Sequence, residues 1–392
     1  MKRNIASNIW KLNVIRILHW FMLVMPIIVL FYQENGLTMM DVFILQSAYG
    51  IGILLFEIPS GYFSDLFGRR KTMIIGCIMF FLGWLIYSTG GDFMTFLLAE
   101  IICGFGSSFL SGTQEAMLYD TLIQIDKKDK FKKLEGRRMA YGNFSESTAS
   151  IIGGSLALIS LRAPFIGEAI LAFVAILFAL TLIEPDIHGD EKPAGNMKDI
   201  LKVVKFSLHD SKEVKWLIIY SSIVGSFTLV ATWFIQPYLQ EVGLPLALFG
   251  LVWAALNFSV GLFSILAHRY EELLGKGLSM ISVVMFLCLG FFLIAYTNSI
   301  YSIAFLFLFY LARGIHWPVL TDCLNSCISS GKRATVLSVR SFVSKLLFVI
   351  LGPLFGWVSD IYSLQAAMYA SGISILVLGT VSIYYLKSSK AI

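Results

Sequence analysis

The chain has 392 residues, of which 57% are hydrophobic and 14% are charged, and its formal net charge is +5. Soluble domains carry roughly 25% charged residues, and a soluble globule of this size could not remove so much apolar surface from water. The low charge and the many Phe, Leu and Ile residues also exclude intrinsic disorder. Composition therefore places the chain in a lipid bilayer, where basic residues mark orientation and do not imply nucleic-acid binding.

Apolar segments long enough to cross the membrane recur along the whole chain. Crossing the hydrocarbon core takes roughly 20 apolar residues. The first apolar run is too long for a signal peptide core and lacks a small-residue cleavage site, so we expect it to stay as the first span. The pattern predicts an all-α integral membrane protein with twelve transmembrane helices, at 10–32, 41–66, 72–89, 93–122, 138–161, 163–183, 214–240, 245–270, 278–296, 300–327, 334–358 and 363–386.

Lys and Arg residues cluster in alternate loops between these spans. The loop after span 2 carries Arg69, Arg70 and Lys71, and the loop after span 4 carries seven basic residues that end with Arg137 and Arg138. The other set of loops holds a single basic residue, Arg162. The positive-inside rule therefore predicts that both termini are cytoplasmic.

One long polar loop divides the predicted spans into two groups of six. It suggests an N-terminal bundle at 1–183, a cytoplasmic linker at 184–213 and a C-terminal bundle at 214–392. Apolar residues recur at helical spacing among lysines late in the linker, which is typical of an amphipathic helix at the membrane interface; these residues are Met197, Ile200, Leu201, Val204 and Leu208.

Sequence motifs for ATP binding, zinc peptidases and serine hydrolases are absent from the chain. We therefore expect no enzyme activity, no metal site and no cofactor apart from an ion gradient. Transporters are often built from repeated halves, and an offset of 207 residues aligns two loops of this chain. At that offset Asp65 matches Glu272, Gly68 matches Gly275 and Arg69 matches Lys276.

The loop Gly61-x-x-x-Asp65-x-x-Gly68-Arg69-Arg70-Lys71 resembles the signature loop of the major facilitator superfamily. The resemblance implies two pseudo-symmetric six-helix bundles that expose a central site to each side of the membrane in turn. It also implies a gating role for Asp65, Arg69 and Arg70.

Two positions depart from the drug/proton antiporter branch of that family. Glu100 stands where these exporters often carry arginine, four residues before Gly104. Only Gly153 and Gly154 remain of the branch's glycine- and proline-containing motif in span 5.

Ionisable side chains inside the predicted spans are candidate functional groups, because each costs at least roughly 2.5–3.5 kcal/mol at mid-bilayer. Four acids of the N-terminal half are candidate proton-coupling residues; they are Glu146, Glu57, Glu100 and Glu115. The buried charges of the C-terminal half are mostly basic. We expect Glu57 to form an inter-bundle ion pair with Arg340 or Lys345, with Glu272 completing the gating set; a static structural pair is the alternative.

A candidate substrate cavity is expected around span 10. Arg313 could hold a carboxylate or phosphate through its planar guanidinium. His316, one turn on, could carry a proton, or it could be a core histidine with satisfied hydrogen bonds. Aromatic and amide side chains could complete the wall, although lipid-facing aromatics are the more common case; they are Trp317, Phe109, Trp233, Gln114 and Gln236.

These features predict a monomeric antiporter in the bacterial inner membrane that exports an amphipathic compound in exchange for protons. The expected partners are a small-molecule substrate and the lipid bilayer, with no nucleic acid. The alternative is a carrier for an anionic or zwitterionic metabolite or a chelate such as a siderophore, which would use Arg313 and Lys345. A lipid flippase or a receptor without transport activity belongs to a third class.

Overall fold

The computed structural model describes residues 4–186, 206–328 and 330–389, and within these ranges every regular element is helical. The amphipathic helix predicted around 197–208 lies almost entirely outside the described residues. The helices of the first half are α1 (Ser7–Trp20), α2 (Ile28–Glu34), α3 (Met39–Phe67), α4 (Arg69–Thr89), α5 (Phe93–Gln124), α6 (Phe131–Ala157) and α7 (Ala163–Leu180).

The second half contains five long helices joined by short turns. Short 3-10 turns precede α9 at Leu246–Leu248 and α10 at Ile300–Phe305. The helices are α8 (Lys212–Glu241), α9 (Phe249–Tyr296), α10 (Leu306–Cys327), α11 (Ser330–Ile361) and α12 (Leu364–Ser388). Gly275 interrupts α9 with φ 76° and ψ 162°, so the predicted spans 245–270 and 278–296 are two helices that meet at this residue.

Nine helical segments of the described chain are long and apolar enough to cross a membrane. They come from α3, α4, α5 and each helix from α7 to α12, so the chain is a multi-pass membrane protein. Helix α6 is not among them. It begins at Phe131, before the predicted start of span 5 at 138, so Arg137 is helical and its assignment to a loop is wrong.

The first predicted span, 10–32, is not one helix. Helix α1 ends at Trp20 and α2 begins at Ile28. Pro26 lies in the interval and has no backbone N–H to donate to a helix. The backbone N–H of Leu23, also in this interval, donates a short hydrogen bond to the Glu168 carboxylate. A continuous helix would provide a backbone acceptor for the Leu23 N–H. At the break, the Glu168 carboxylate is the acceptor instead.

The chain forms two compact units, and the division passes through α3 and α9. Unit 1 comprises Met1–Leu37, Ala48–Pro193 and Leu246–Ala254. Its core brings α4 against α5 and α7. Glycine allows the close approach of α4 and α5, since a Cβ atom at Gly106 would lie 2.9 Å from the backbone nitrogen of Phe80. Small residues of this kind are the usual means of close helix contact in membranes.

Unit 2 comprises Thr38–Ser47, Ala194–Pro245 and Ala255–Ile392. Helix α8 is its centre, because it packs against α10, α11 and α12 and most of its residues are buried. The first residues of α3 also belong to this unit. There a Cβ atom at Gly356 of α11 would lie 2.7 Å from Cα of Met40, so the two backbones are in direct contact.

Candidate transport and gating sites

The signature loop is a tight turn organised around one arginine. Gly68 lies between α3 and α4 with φ 96°, a conformation that glycine adopts without steric cost. The Arg69 guanidinium contacts Asp65 at 2.6 Å and Ser64 Oγ at 2.9 Å through Nη1, and its Nε lies 3.3 Å from Asp120. The structure thus brings Asp65 and Arg69 together, two of the residues to which the resemblance gives a gating role.

Glu184, which directly follows predicted span 6, caps the first turn of α4. Its Oε1 accepts the backbone N–H of Arg69 at 2.6 Å, and its Oε2 accepts that of Arg70 at 2.7 Å. The Arg70 side chain donates to the carbonyl of Leu180 at 2.8 Å. A carboxylate at a helix N-terminus satisfies free N–H groups and complements the helix dipole. Sequence spacing gives no sign of this contact across 115 positions.

The second copy of the loop has the same turn but different ion pairs. Gly275 has φ 76°, as its alignment with Gly68 leads one to expect. Lys276 Nζ lies 2.6 Å from Asp322, an acid of α10. Glu272 pairs with His268 at 3.2 Å and is largely exposed, so it does not contact Lys276 as Asp65 contacts Arg69.

A polar cavity of about 220 Å³ lies beside the signature loop in unit 1. Glu57 lines this cavity together with Asp65, Arg69 and several serines. Its side chain is exposed. Arg340 and Lys345 belong to unit 2, so the proposed ion pair of Glu57 with either residue stays a prediction.

Glu100 is buried in unit 1 among aromatic rings. The hydroxyl of Tyr32 donates to Glu100 Oε1 at 3.0 Å and lies 2.7 Å from the hydroxyl of Tyr87. The Tyr87 ring is 5.4 Å from that of Phe96 and 5.5 Å from that of Phe165. This acid therefore has hydroxyl partners in surroundings that are otherwise apolar.

The other two acids proposed for coupling lie at more accessible positions. Glu115 of α5 is exposed, and Glu146 of α6 is half-buried. Neighbouring Gln114 is buried and accepts a hydrogen bond from Arg138 Nη2 at 2.8 Å. Arg138 also contacts Glu135 at 2.6 Å and is 1% exposed. Gln114 is therefore bound to a buried arginine that the charge pattern places in a loop.

A second polar cluster lies in unit 2, where α8, α10 and α11 meet. Arg340 Nε donates to Ser221 Oγ at 2.5 Å, and the same hydroxyl lies 3.3 Å from His316 Nε2. The Arg340 guanidinium lies 4.1 Å from the centre of the Trp317 ring, in cation–π geometry. Arg340 is thus held by a hydroxyl and an aromatic face.

Arg313 and His316 are neighbours on α10 but differ in exposure. Residues three apart on a helix differ by about 60° in direction, whereas residues four apart differ by about 40°. Arg313 and Trp317 are exposed, but His316 is 7% exposed and packs beside Tyr220. The exposed polar face of this helix therefore carries the arginine and the tryptophan without the histidine.

The remaining cavity candidates lie inside the units. Phe109 is buried, with its ring 4.4 Å from that of Phe105 and 5.5 Å from that of Phe63. Trp233 and Gln236 of α8 are also buried. Lys345 is half-buried. Phe109 belongs to unit 1, whereas Trp233, Gln236 and Lys345 belong to unit 2 together with Arg313 and Trp317, so the shared cavity stays a prediction.

The described chain is a multi-pass helical protein with two compact units, a charged turn between membrane helices and a buried carboxyl group at Glu100 in unit 1. The family model described as Major Facilitator Superfamily matches residues 12–349. The chain belongs to this family, which is a family of membrane transporters.

Curated relatives are distant. The uncharacterised MFS-type transporter YxaM of Bacillus subtilis is 23% identical over 370 residues, which cover 90% of this chain and 89% of that protein. Multidrug resistance protein 2 of the same organism is 23% identical over 52% of this chain and 51% of its own. Quinolone resistance protein NorA of Staphylococcus aureus is 24% identical over 41% of this chain and 40% of its own.

Solved structures share the fold at low sequence identity. The nucleoside transporter NupG superimposes with a TM-score of 0.81 at 15% identity, over 98% of this chain and 99% of that one. A D-xylose-proton symporter gives a TM-score of 0.73 at 16% identity, over 98% and 97% of the two chains. Because these substrates differ while the fold is common, the fold alone does not select a substrate.

Proposed function

We propose that this protein is a proton-coupled secondary transporter that exports a small amphipathic compound by alternating access. It works as a monomer with twelve membrane spans and cytoplasmic termini in the plasma membrane of a bacterium. Its energy source is the proton gradient, and it needs no bound cofactor.

The observation that carries the proposal is the contact between Glu100 and Tyr32. A carboxyl group buried in a membrane bundle is by default a functional group, because its burial is costly. A tyrosine hydroxyl can donate to a carboxylate, and it can also accept from a protonated carboxyl group. Tyr32 can therefore satisfy Glu100 in both protonation states, which a site of reversible proton exchange requires.

The names of the partial relatives support the direction of transport. One is called a multidrug resistance protein and another a quinolone resistance protein. Two acids, Glu57 and Asp65, and one arginine, Arg69, line the polar cavity; because Arg69 pairs with Asp65, Glu57 is the acid that would attract a cationic compound there.

The test uses purified protein in proteoliposomes with a pH-sensitive dye inside. Ethidium and a quinolone are applied under an imposed pH gradient, and both substrate and proton movement are recorded. We expect proton movement tied to the substrate in wild type, its loss in Glu100→Gln, and its retention in Glu115→Gln, the control at an exposed acid. Substrate movement with no proton movement in the wild type would contradict the proposal.

The alternative carrier of an anionic or zwitterionic compound is favoured by the exposed pair Arg313 and Trp317 and by Arg340 beside them. A guanidinium could bind a carboxylate or phosphate while the indole packs on an organic ring. Lys345 would add a second positive charge. The same vesicles are tested with organic acids and a ferric siderophore. Uptake of an anion that is lost in Arg313→Ala would establish this alternative.

A further inference from the structure

Unit 1 contains a second buried acid, Glu168 of α7. It is 4% exposed. It lies beside the break between α1 and α2 and accepts the hydrogen bond from the backbone N–H of Leu23. Backbone polar groups inside a membrane need an internal partner, so Glu168 helps to satisfy the broken span.

The backbone at the break is held closely by α6 and α7. A Cβ atom at Gly153 would collide with the carbonyl oxygen of Leu23, and one at Gly167 would lie 2.6 Å from the Leu23 side chain. Glycine at these two positions therefore creates the space in which Leu23 reaches Glu168. The packing around residues 21–27 thus gives the backbone N–H of Leu23 a side-chain acceptor, the Glu168 carboxylate.

The carboxyl group also lines a small cavity with other polar groups. The cavity has a volume of about 10 Å³ and is lined by Glu168, His19, Trp84 and Cys77 among apolar side chains. That volume admits at most about one water molecule. Trp84 is 6% exposed, and its Nε1–H has no acceptor among the described residues. The cavity thus offers an unused donor next to a buried acid and an imidazole.

We propose that Glu168 is a proton-exchange site that couples protonation to the shape of span 1. As a carboxylate it accepts the Leu23 N–H through Oε1. Adding a proton leaves one of its oxygens as an O–H donor, which His19 or one water in the cavity can accept. Protonation thereby removes negative charge from the acceptor of Leu23 and weakens that hydrogen bond. This role rests on the proposed function, in which protons drive transport.

The charged and titratable groups around Glu168 are few. His19 faces the cavity from α1, with Arg16 one turn earlier, and Cys77 faces it from α4. The residues of α6 in contact here, Gly153 and Leu156, are not titratable. Glu168 therefore has no arginine or lysine among the side chains that line its cavity.

The test is an infrared pH titration of the purified full-length protein in lipid, with no transport substrate added. Glu168→Gln is the informative variant, because its amide oxygen can still accept the Leu23 N–H while the titratable group is gone. Glu100→Gln is the matched control at the other buried acid. Glu168→Asp keeps a carboxyl group and serves if the amide variant does not fold. Hydrogen exchange of the peptide containing residues 21–27 is recorded at the same pH values and corrected for intrinsic exchange rates.

We expect the titrating carboxylic-acid stretching absorption of wild type to contain a component that is lost in Glu168→Gln and retained in Glu100→Gln, which loses only the contribution of Glu100. In Glu168→Asp the band should persist at a shifted frequency. Exchange of residues 21–27 should increase on the acidic side of the titration in wild type and become independent of pH in Glu168→Gln. A band that is unchanged in Glu168→Gln, or that keeps its frequency in Glu168→Asp, would overturn the proposal. The titration uses no transport substrate. Its result can therefore be interpreted even if the transport assay contradicts the proposed function.

Discussion

The carboxylate of Asp360, at the end of α11, accepts a hydrogen bond from the backbone N–H of Met39 at 2.8 Å, although the two residues lie 321 positions apart. Its second oxygen accepts the N–H of Met40 at 2.7 Å. Thr38 and Asp41 form a local capping pair at the same helix end, with Asp41 accepting the N–H of Thr38 at 2.9 Å. The start of α3 is therefore fixed by a distant acid as well as a local one.

Removing the distant cap should destabilise the protein. Asp360→Ala leaves two N–H groups at the start of α3 without their acceptor, and the loss of such a cap costs about 1 kcal/mol. Asp360→Asn keeps one acceptor oxygen and should lose less. Thermal unfolding in detergent measures both variants. Equal melting temperatures for Asp360→Ala and wild type would contradict this role.

The two aligned glycines offer a matched pair of substitutions. Both glycines combine a positive φ with ψ near 160°, a region almost restricted to glycine that costs other residues about 1–3 kcal/mol, so Gly68→Ala and Gly275→Ala should both reduce stability. A Cβ atom at Gly68 would also lie 2.9 Å from the Glu184 carboxyl group, whereas one at Gly275 would meet no atom within 4 Å. The loss in melting temperature should therefore be larger for Gly68→Ala. The reverse order would show that Glu184 does not hold this turn.

Arg69 should be sensitive even to replacement by lysine. Its guanidinium contacts Asp65, Ser64 and Asp120 through two nitrogens, and a single ammonium group lacks this fork geometry. We expect Arg69→Lys to reduce transport at least severalfold with unchanged membrane insertion. Lys71→Gln, an exposed neighbour, is the control and should transport normally. Substrate flux into vesicles, normalised to protein content, is compared for the two variants and wild type. Equal flux for Arg69→Lys and Lys71→Gln would contradict this role of Arg69.

A pH effect is expected at the start of α5, outside its membrane span. Hydrogen bonds from the Thr95 hydroxyl and backbone N–H lower the pKa of the Asp92 side chain. A lowered pKa in the folded state means that this contribution to stability is present above the unfolded pKa. It is lost as the pH falls through the folded value. Asp92→Asn should therefore reduce the decline in melting temperature at acidic pH. The same decline in Asp92→Asn as in wild type would refute this expectation.

The sequence alone is sufficient for the membrane class, for the turn at Gly68 and for the corresponding turn at Gly275. These features depend on composition and on local residue types. Pro26 is a local signal of the break in span 1. The apolar run from 10 to 32 is nevertheless long enough to cross the membrane, so it is predicted as one helix. Glu168 could also be found from the sequence, because it is the one acidic residue of predicted span 6, at 163–183.

Other parts of the site depend on tertiary contacts that spacing does not encode. Glu184 and Asp360 each cap a helix that is distant in the chain. His316 and Arg313 are close on a helix, yet the packing of α10 against α8 buries the first and leaves the second exposed. Gln114 is occupied by Arg138, which lies on a different helix 24 positions away.

The most direct test of the account is the measurement of proton movement during ethidium export in proteoliposomes. Wild type, Glu100→Gln and Glu115→Gln are compared under the same imposed pH gradient. We expect ethidium and protons to move together in wild type and Glu115→Gln, and we expect Glu100→Gln to lose the proton movement. Proton-independent ethidium export, or the transport of only organic anions in a manner that depends on Arg313, would contradict it.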